Sequence, residues 1–205
     1  MSLRLVNLGL PKSGTTTLGH ALKLAGLKVA DYRIRPHQTG QQDPRDGEFV
    51  ADLLYRGLYE AGDPLAHLGG FEALSETSRL RGRPVWPQTD FAMIDALRAR
   101  HPGLRFVATR RDAFAMSQSM LRWSDMVERL TRMPVPGLPA GYGETTAERV
   151  RWIEGHYAFL AAVFGDDPRY LELDVADGNA PLRLGAHLGI ELPWWGTANA
   201  NPETD

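Results

Sequence analysis

Residues Leu8 to Leu18 read L-G-L-P-K-S-G-T-T-T-L, and the reading of this stretch decides the fold. The apolar run Leu5 to Leu10 ends in a glycine-bearing turn, and three consecutive threonines then open a helix. A strand that feeds such a loop and then a helix N-terminus is an anion-binding device. The first N–H groups of a helix have no partner within it, and the helix dipole adds partial positive charge there. Lys12 puts a full positive charge inside the loop, and Thr15, Thr16 and Thr17 add hydroxyl donors. Gly9 and Gly14 keep the glycine spacing of the NTP-binding form G-x-x-x-x-G-K-[ST]. Thr15 stands where that form has its lysine, and the lysine lies earlier, at Lys12.

Working outward, apolar strand-like runs alternate with amphipathic helices. Leu3 to Leu10 is the first predicted strand, and the helix from Gly14 to Ala25 shows Leu18, Ala21, Leu22 and Ala25 on one face. Leu27 to Ile34 reads as the second strand, reached by a right-handed crossover. Residues 35–47 form a polar loop, and helices follow over Glu48 to Glu60, from Pro64 to Gly69, and over Phe71 to Leu80. Val85 to Thr89 is a short candidate strand containing Pro87. Asp90 is placed to N-cap a helix over Phe91 to Arg100. Leu104 to Thr109 is a central strand, and a helix is predicted from Asp112 to Arg132. Residues 133–143 carry Pro134, Pro136 and Pro139 among glycines and read as a flexible surface loop. A long helix from Thr145 to Phe164, a strand from Arg169 to Leu173 and a helix from Pro181 to Leu188 complete the pattern. Alternating strands and helices imply a parallel α/β sheet, with ligands outside the carboxyl ends of the strands.

Composition sets the bounds. The chain has 205 residues, 43% hydrophobic and 23% charged, which suits one domain spanning 1–205. A net charge of −2 gives no reason to expect a nucleic-acid partner. The sequence contains no cysteine, so disulfides and thiolate chemistry are absent. No apolar run approaches the ~20 residues of a membrane span and no signal-peptide pattern is visible, so the expectation is a cytoplasmic chain without a membrane partner.

The pattern P-K-S-G-T-T-x-L from Pro11 to Leu18 resembles the 5′-phosphosulfate loop of sulfotransferases that use 3′-phosphoadenosine 5′-phosphosulfate (PAPS). A second motif stands in the expected order. T-R-R-D-A-F-A-M-S-Q-S, from Thr109 to Ser119, resembles the family's 3′-phosphate motif, with Arg111 as its arginine and Ser119 as its serine. Ala113 replaces the proline often found there. The resemblance extends over F-A-M-I-D-A-L-R-A-R-H-P-G-L-R-F-V-A-T-R-R-D, from Phe91, and over R-Y-L-E-L-D-V-A-D-G and P-L-R-L-G-A-H-L-G-I-E-L-P near the C-terminus. Residues 35–83 carry no recognisable part of it.

This resemblance implies a three-layer P-loop-type α/β fold and in-line transfer of a sulfuryl group from PAPS to a hydroxyl or amine, without a metal. Lys12 would neutralise the leaving phosphate, while Ser13, Gly14, Thr15, Thr16 and Thr17 would hold the 5′-phosphate. Arg111 and Ser119 would hold the 3′-phosphate. Small-molecule sulfotransferases carry their base in a T-H-x-P segment. T-D-F-A at Thr89 to Ala92 stands in the comparable place and points to Asp90, with His37 as the other candidate. The acceptor would be a small molecule or a carbohydrate. The remaining histidines, His156 included, read as helix-surface or loop residues, and no His pair has metal-ligand spacing. Two other readings remain open at this point: a P-loop kinase with an unusual lysine position, and a non-catalytic protein that binds PAP (3′-phosphoadenosine 5′-phosphate) or PAPS.

Overall fold

The computed structural model describes residues 3–39, 43–80 and 82–198. Five strands form one sheet: β1 (Leu5–Asn7), β2 (Val29–Asp31), β3 (Ala73–Glu76), β4 (Arg105–Arg110) and β5 (Tyr170–Asp174). Their order across the sheet is β2-β3-β1-β4-β5, and every pairing is parallel. The α-helices are α1 (Thr15–Leu24), α2 (Pro36–Thr39), α3 (Val50–Ala61), α4 (Phe91–Arg100), α5 (Ala113–Leu121), α6 (Met126–Arg132), α7 (Thr146–Phe164) and α8 (Ala180–Leu188).

Successive strand residues face opposite sides of a sheet. Leu5, Val29, Ala73, Val107 and Leu173 face α1 and α8, which contribute Leu18, Leu22, Leu184 and Leu188. Val6, Ala30, Leu74 and Phe106 face the other way, against Leu53 of α3, Ile94 of α4, Met116 of α5 and Leu160 of α7. The fold is therefore a three-layer α/β arrangement with a parallel sheet, as the alternation of elements predicts. Cover on both faces explains why the inner strands β1 and β4 carry consecutive apolar residues, Leu5–Val6 and Phe106–Val107–Ala108.

Several predicted elements are corrected, among them the helix expected from Pro64 to Gly69, which is a run of turns, and the polar loop 35–47, which contains the short helix α2. Phe71 to Leu80 is not helical; it contains β3. Ala, Leu and Glu favour helices in isolation. Here β1 and β2 flank the segment, pair with it on both edges and bury Ala73 and Leu74 completely. Val85 to Thr89 is not a strand. Val85 makes a single bridge to Arg79, and Pro87–Thr89 is a 3-10 turn, since Pro87 has no N–H to give to a ladder. The predicted helix Asp112 to Arg132 is two helices, α5 and α6, broken where Ser124 takes a φ of 50°.

Residues 133–143 are irregular, with one isolated bridge between Val135 and Leu138. Both of these side chains are buried. Trp152 of α7 donates its indole N–H to Pro136 O at 2.9 Å. Among the described residues no helix is long and apolar enough to cross a membrane.

Candidate functional site

The carboxyl ends of all five strands lie along one edge of the sheet, and the loop from Gly9 to Gly14 leaves β1 at that edge. Two residues of this loop have left-handed backbone, Lys12 with φ 72° and Gly14 with φ 108°. Gly14 is the N-cap of α1, no side chain caps the helix, and no acidic residue stands in its first turn. The N-terminal N–H groups are therefore left for an outside anion.

The loop is fixed from below by polar groups at the strand ends. Asn7 Oδ1 accepts from Gly9 N at 3.0 Å and from Thr109 N at 3.1 Å, while its Nδ2 donates to Ser75 O at 2.7 Å. Ser13 Oγ and Thr109 Oγ1 share a hydrogen bond of 2.7 Å. Gly9 has to be glycine: a Cβ there would meet Thr109 Oγ1 at 2.3 Å. From the opposite layer, Tyr157 of α7 donates its hydroxyl to Thr109 O at 2.7 Å. Its neighbour His156 bonds Leu8 O at 2.8 Å through Nε2. A carbonyl only accepts, so Nε2 carries the proton. Burial pushes the imidazole down to about 4, and it is neutral near pH 7. His156 is thus a buried clamp on the loop, which corrects the surface role read from the sequence. An i, i+1 pair on a helix with no charge pattern gives no local sign of such a role.

Three cations converge at the loop. The Lys12 ammonium is held below its ordinary value by burial, and then by the positive charges of Arg111 and Arg122. It lies 4.9 Å from the centroid of the Trp123 ring. Among the described residues none of Lys12, Arg111 and Arg122 forms an ion pair with a carboxylate. Arg110, by contrast, is paired with Glu172. Ser117 is also committed, accepting from Arg149 Nε at 2.9 Å. Ser119 is buried on the same helix, without a described hydrogen bond of its side chain. Three uncompensated cations beside an uncapped helix N-terminus repel one another, and an anion placed among them, above all one with more than a single negative charge, would offset that repulsion.

A cavity of about 610 Å³ opens beside the loop, on the side of α1, β2 and β3. Lys12, Thr15, Thr16 and Glu76 line its loop end. Glu76 closes β3, and its Oε1 accepts from Ser78 N at 3.1 Å and Ser78 Oγ at 2.6 Å. Burial raises its pKa above the ordinary carboxylate value; Ser78 and Thr15 act in the opposite direction, and the negative charge of Asp31 adds to the rise. Glu76 was not foreseen in the sequence, because its segment was read as helical.

Asp90 lies elsewhere. Its Oδ1 accepts from Ala92 N at 2.9 Å and Met93 N at 3.3 Å as the N-cap of α4. Its Oδ2 accepts from Tyr55 Oη at 2.9 Å. The carboxylate is occupied on both oxygens and does not line the cavity. His37 is exposed on α2, also away from the cavity wall. The structure thus brings Lys12, Ser13, Gly14, Thr15, Thr16 and Arg111 to one place, and leaves Asp90 and His37 outside it. Thr17 faces away from the cavity, and its hydroxyl donates to Gly196 O at 3.0 Å.

Among the described residues no three His, Asp or Glu side chains converge as metal ligands. No protein-family model matches the chain, and no curated protein matches it.

Proposed function

We propose that the protein is a sulfotransferase that takes its sulfuryl group from PAPS and passes it to a hydroxyl or amine. The observation that carries this reading is the set of uncompensated cations, Lys12, Arg111 and Arg122, around the uncapped N-terminus of α1. A nucleotide with phosphates at both its 5′ and 3′ positions needs two anion subsites. The loop from Ser13 to Thr16 would serve the 5′ side, with Arg111 and Ser119 on the 3′ side.

PAPS supplies an activated sulfuryl group; the rest of the work falls to the chain. Backbone N–H groups of Gly14, Thr15 and Thr16 would hold the 5′-phosphate, and Lys12 would offset charge gathering on its oxygens as they become the leaving group. Glu76 would take the acceptor proton. A raised pKa makes it a stronger base than an ordinary carboxylate, and it lies at the loop end of the cavity where an acceptor hydroxyl would sit. Trp123 would shield Lys12 from water.

A second reading has one observation in its favour. Glu76 ends the strand next to β1 and stands beside Thr15. In NTP-binding loops a strand-end carboxylate and a loop hydroxyl hold Mg²⁺. The lysine at position 12, and not 15, argues against that reading.

Calorimetric titration with PAP, 5′-AMP, ATP and GTP, with and without Mg²⁺, tests the choice. Magnesium-independent preference for PAP over 5′-AMP is expected, because the two differ only in the 3′-phosphate. An absence of PAP binding sinks the sulfotransferase reading. Mg²⁺-dependent binding and turnover of ATP would establish the second.

A further inference from the structure

Left-handed backbone in residues other than glycine is confined, among the described residues, to Lys12, Tyr32 and Ser124. Ser124 turns the chain between α5 and α6. Lys12 lies in the loop after β1 and Tyr32 directly follows β2, and both line the cavity. For a bulky aromatic residue a φ of 50° is a genuine outlier, which glycine or asparagine would adopt with less strain. Arg33 N donates to Asp31 O across Tyr32. In its positive-φ form that three-residue turn is rare and strained.

The surroundings enforce this conformation from several sides. Tyr32 N donates to Glu76 O at 3.1 Å, and Val50 N donates to Tyr32 O at 3.0 Å. The ring stands edge-on to Phe49, with centroids 5.2 Å apart. β2 and β3 pair Asp31 with Glu76 at this edge of the sheet, so the turn sets Tyr32 beside the strand end that carries Glu76. Backbone strain that persists only because its neighbours enforce it collects at ligand sites. On the loop side of the cavity the strained residue carries an ammonium, and on the β2 side it carries an aromatic face. Trp123 brings a second aromatic ring to the same cavity, and Thr16, His20 and Ser75 bring hydrogen-bonding groups.

We infer that Tyr32 is the acceptor-positioning residue of this cavity, and that the acceptor presents a pyranose ring to it. The two faces of a pyranose are largely C–H, and its rim is hydroxyl. The faces suit an aromatic side chain, and the rim suits a wall that mixes hydroxyl, imidazole and carboxylate groups. A ring set against Tyr32 has its rim hydroxyls beside Glu76, which stands next to Thr15 of the loop. The volume of about 610 Å³ falls in the range that encloses a small ligand. This inference rests on the sulfotransferase reading for what becomes of the hydroxyl, but the sugar site does not depend on it.

The probes are the methyl β-pyranosides of glucose, galactose, mannose and N-acetylglucosamine. D-Glucitol serves as a polyol without a ring, and phenol as a flat ring without the polyol rim. Titrations into the full chain, followed by saturation-transfer NMR with PAP present and absent, give their affinities. At least one pyranoside binds more tightly than either control. Tyr32→Asn adopts the left-handed backbone more readily, so its Tm stays at or above that of the parent, while pyranoside affinity falls about tenfold and PAP affinity is unchanged. Tyr32→Phe keeps the ring and keeps the pyranoside. A side chain held there only for packing gives the reverse, a lower Tm and unaltered sugar binding, and either of those results overturns the inference. So do binding of no pyranoside, tighter binding of phenol or glucitol, loss of the pyranoside in Tyr32→Phe, and loss of PAP affinity in Tyr32→Asn. Absence of PAP binding with the Tyr32-dependent pyranoside intact removes the sulfotransferase reading and leaves the sugar site standing.

Discussion

Asn7 and Thr109 are joined through both ends of the asparagine side chain. Oδ1 accepts from Thr109 N at 3.1 Å, and Nδ2 donates to Thr109 Oγ1 at 3.1 Å. The same side chain reaches Ser75 O and Gly9 N. One buried amide thus sets the loop, the strand that ends in Glu76 and the strand that ends in Arg110 at fixed distances from one another.

Asn7→Asp keeps the size and removes the donor. Ser75 O and Thr109 Oγ1 then face a buried carboxylate, at a cost of about 2–4 kcal/mol. Urea unfolding measures it. A midpoint equal to that of the parent protein would show that the amide is not what holds the strand ends.

Gly9→Ala places a Cβ 2.3 Å from Thr109 Oγ1 and 2.5 Å from the Thr109 backbone oxygen. The backbone oxygen cannot move without disturbing β4, and turning the hydroxyl away gives up its bonds to Asn7 and Ser13. The expected loss is about 2 kcal/mol or more, together with weaker PAP binding. Gly178→Ala, with open space around its Cβ, is the control and stays close to the parent in Tm.

Glu76→Gln keeps PAP affinity and lowers turnover on the order of a hundredfold or more. Asp90→Asn, at the α4 cap, retains most activity. The acid limb of kcat/KM belongs to Glu76 and lies above pH 4.5, because burial raises its pKa in the folded protein. The sign for stability is opposite. With the folded value above the unfolded one, the contribution is present below pH 4.5 and is lost as pH rises through the folded value. Glu76→Gln removes that decline. A pH–rate profile unchanged by Glu76→Gln rules out the base role.

His156 has the reverse linkage from an unfolded value of 6.5 to a folded value of about 4. Below pH 6.5 the unfolded chain takes up the proton that the folded chain resists. Stability therefore falls as pH drops from 6.5 toward 4, by roughly 3 kcal/mol in total. Urea midpoints across that range measure the slope, and His156→Gln flattens it. An equal slope in the variant would assign the acid sensitivity to other groups.

Arg149 is buried, with 1% of its surface exposed, and has no carboxylate partner among the described residues. Its Nε donates to Ser117 Oγ at 2.9 Å and its Nη1 to Gly143 O at 3.0 Å. Arg149→Met keeps the packing and drops those bonds. Hydrogen exchange then rises across residues 133–145, whereas the exchange of β1 and β4 stays as it was. Unchanged exchange in that segment contradicts the tether.

Much of the fold was legible because its causes are local. The Asp90 cap, the helix Phe91–Arg100 and the central strand that ends at Arg110, just before Arg111, follow from neighbouring residues alone. The loop from Gly9 to Gly14 is equally local: its two glycines answer to steric limits, and its lysine lies within the turn it charges. The misread stretch from Phe71 to Leu80 shows the opposite case. Its residues favour helix by themselves, and only pairing with β1 and β2, distant in the chain, makes four of them a strand. The break at Trp123 and Ser124 is similar, since the turn is held by where the two helices pack.

By itself the sequence determined the glycine-bearing loop with its lysine, the parallel α/β plan and the two arginines next to a helix start. Each of these depends on residues within a few positions of one another, where backbone sterics and hydrogen bonding act directly. The tertiary structure alone decided what surrounds the loop. Among the described residues it left Arg111 without a carboxylate, and it gave Arg110 to Glu172. It put Glu76 on the cavity wall and Asp90 outside it, and it set His156 and Tyr157 under the loop. Those outcomes follow from the strand order β2-β3-β1-β4-β5. Strand order is set by which faces bury best across long chain separations, a global balance that no short window of sequence contains.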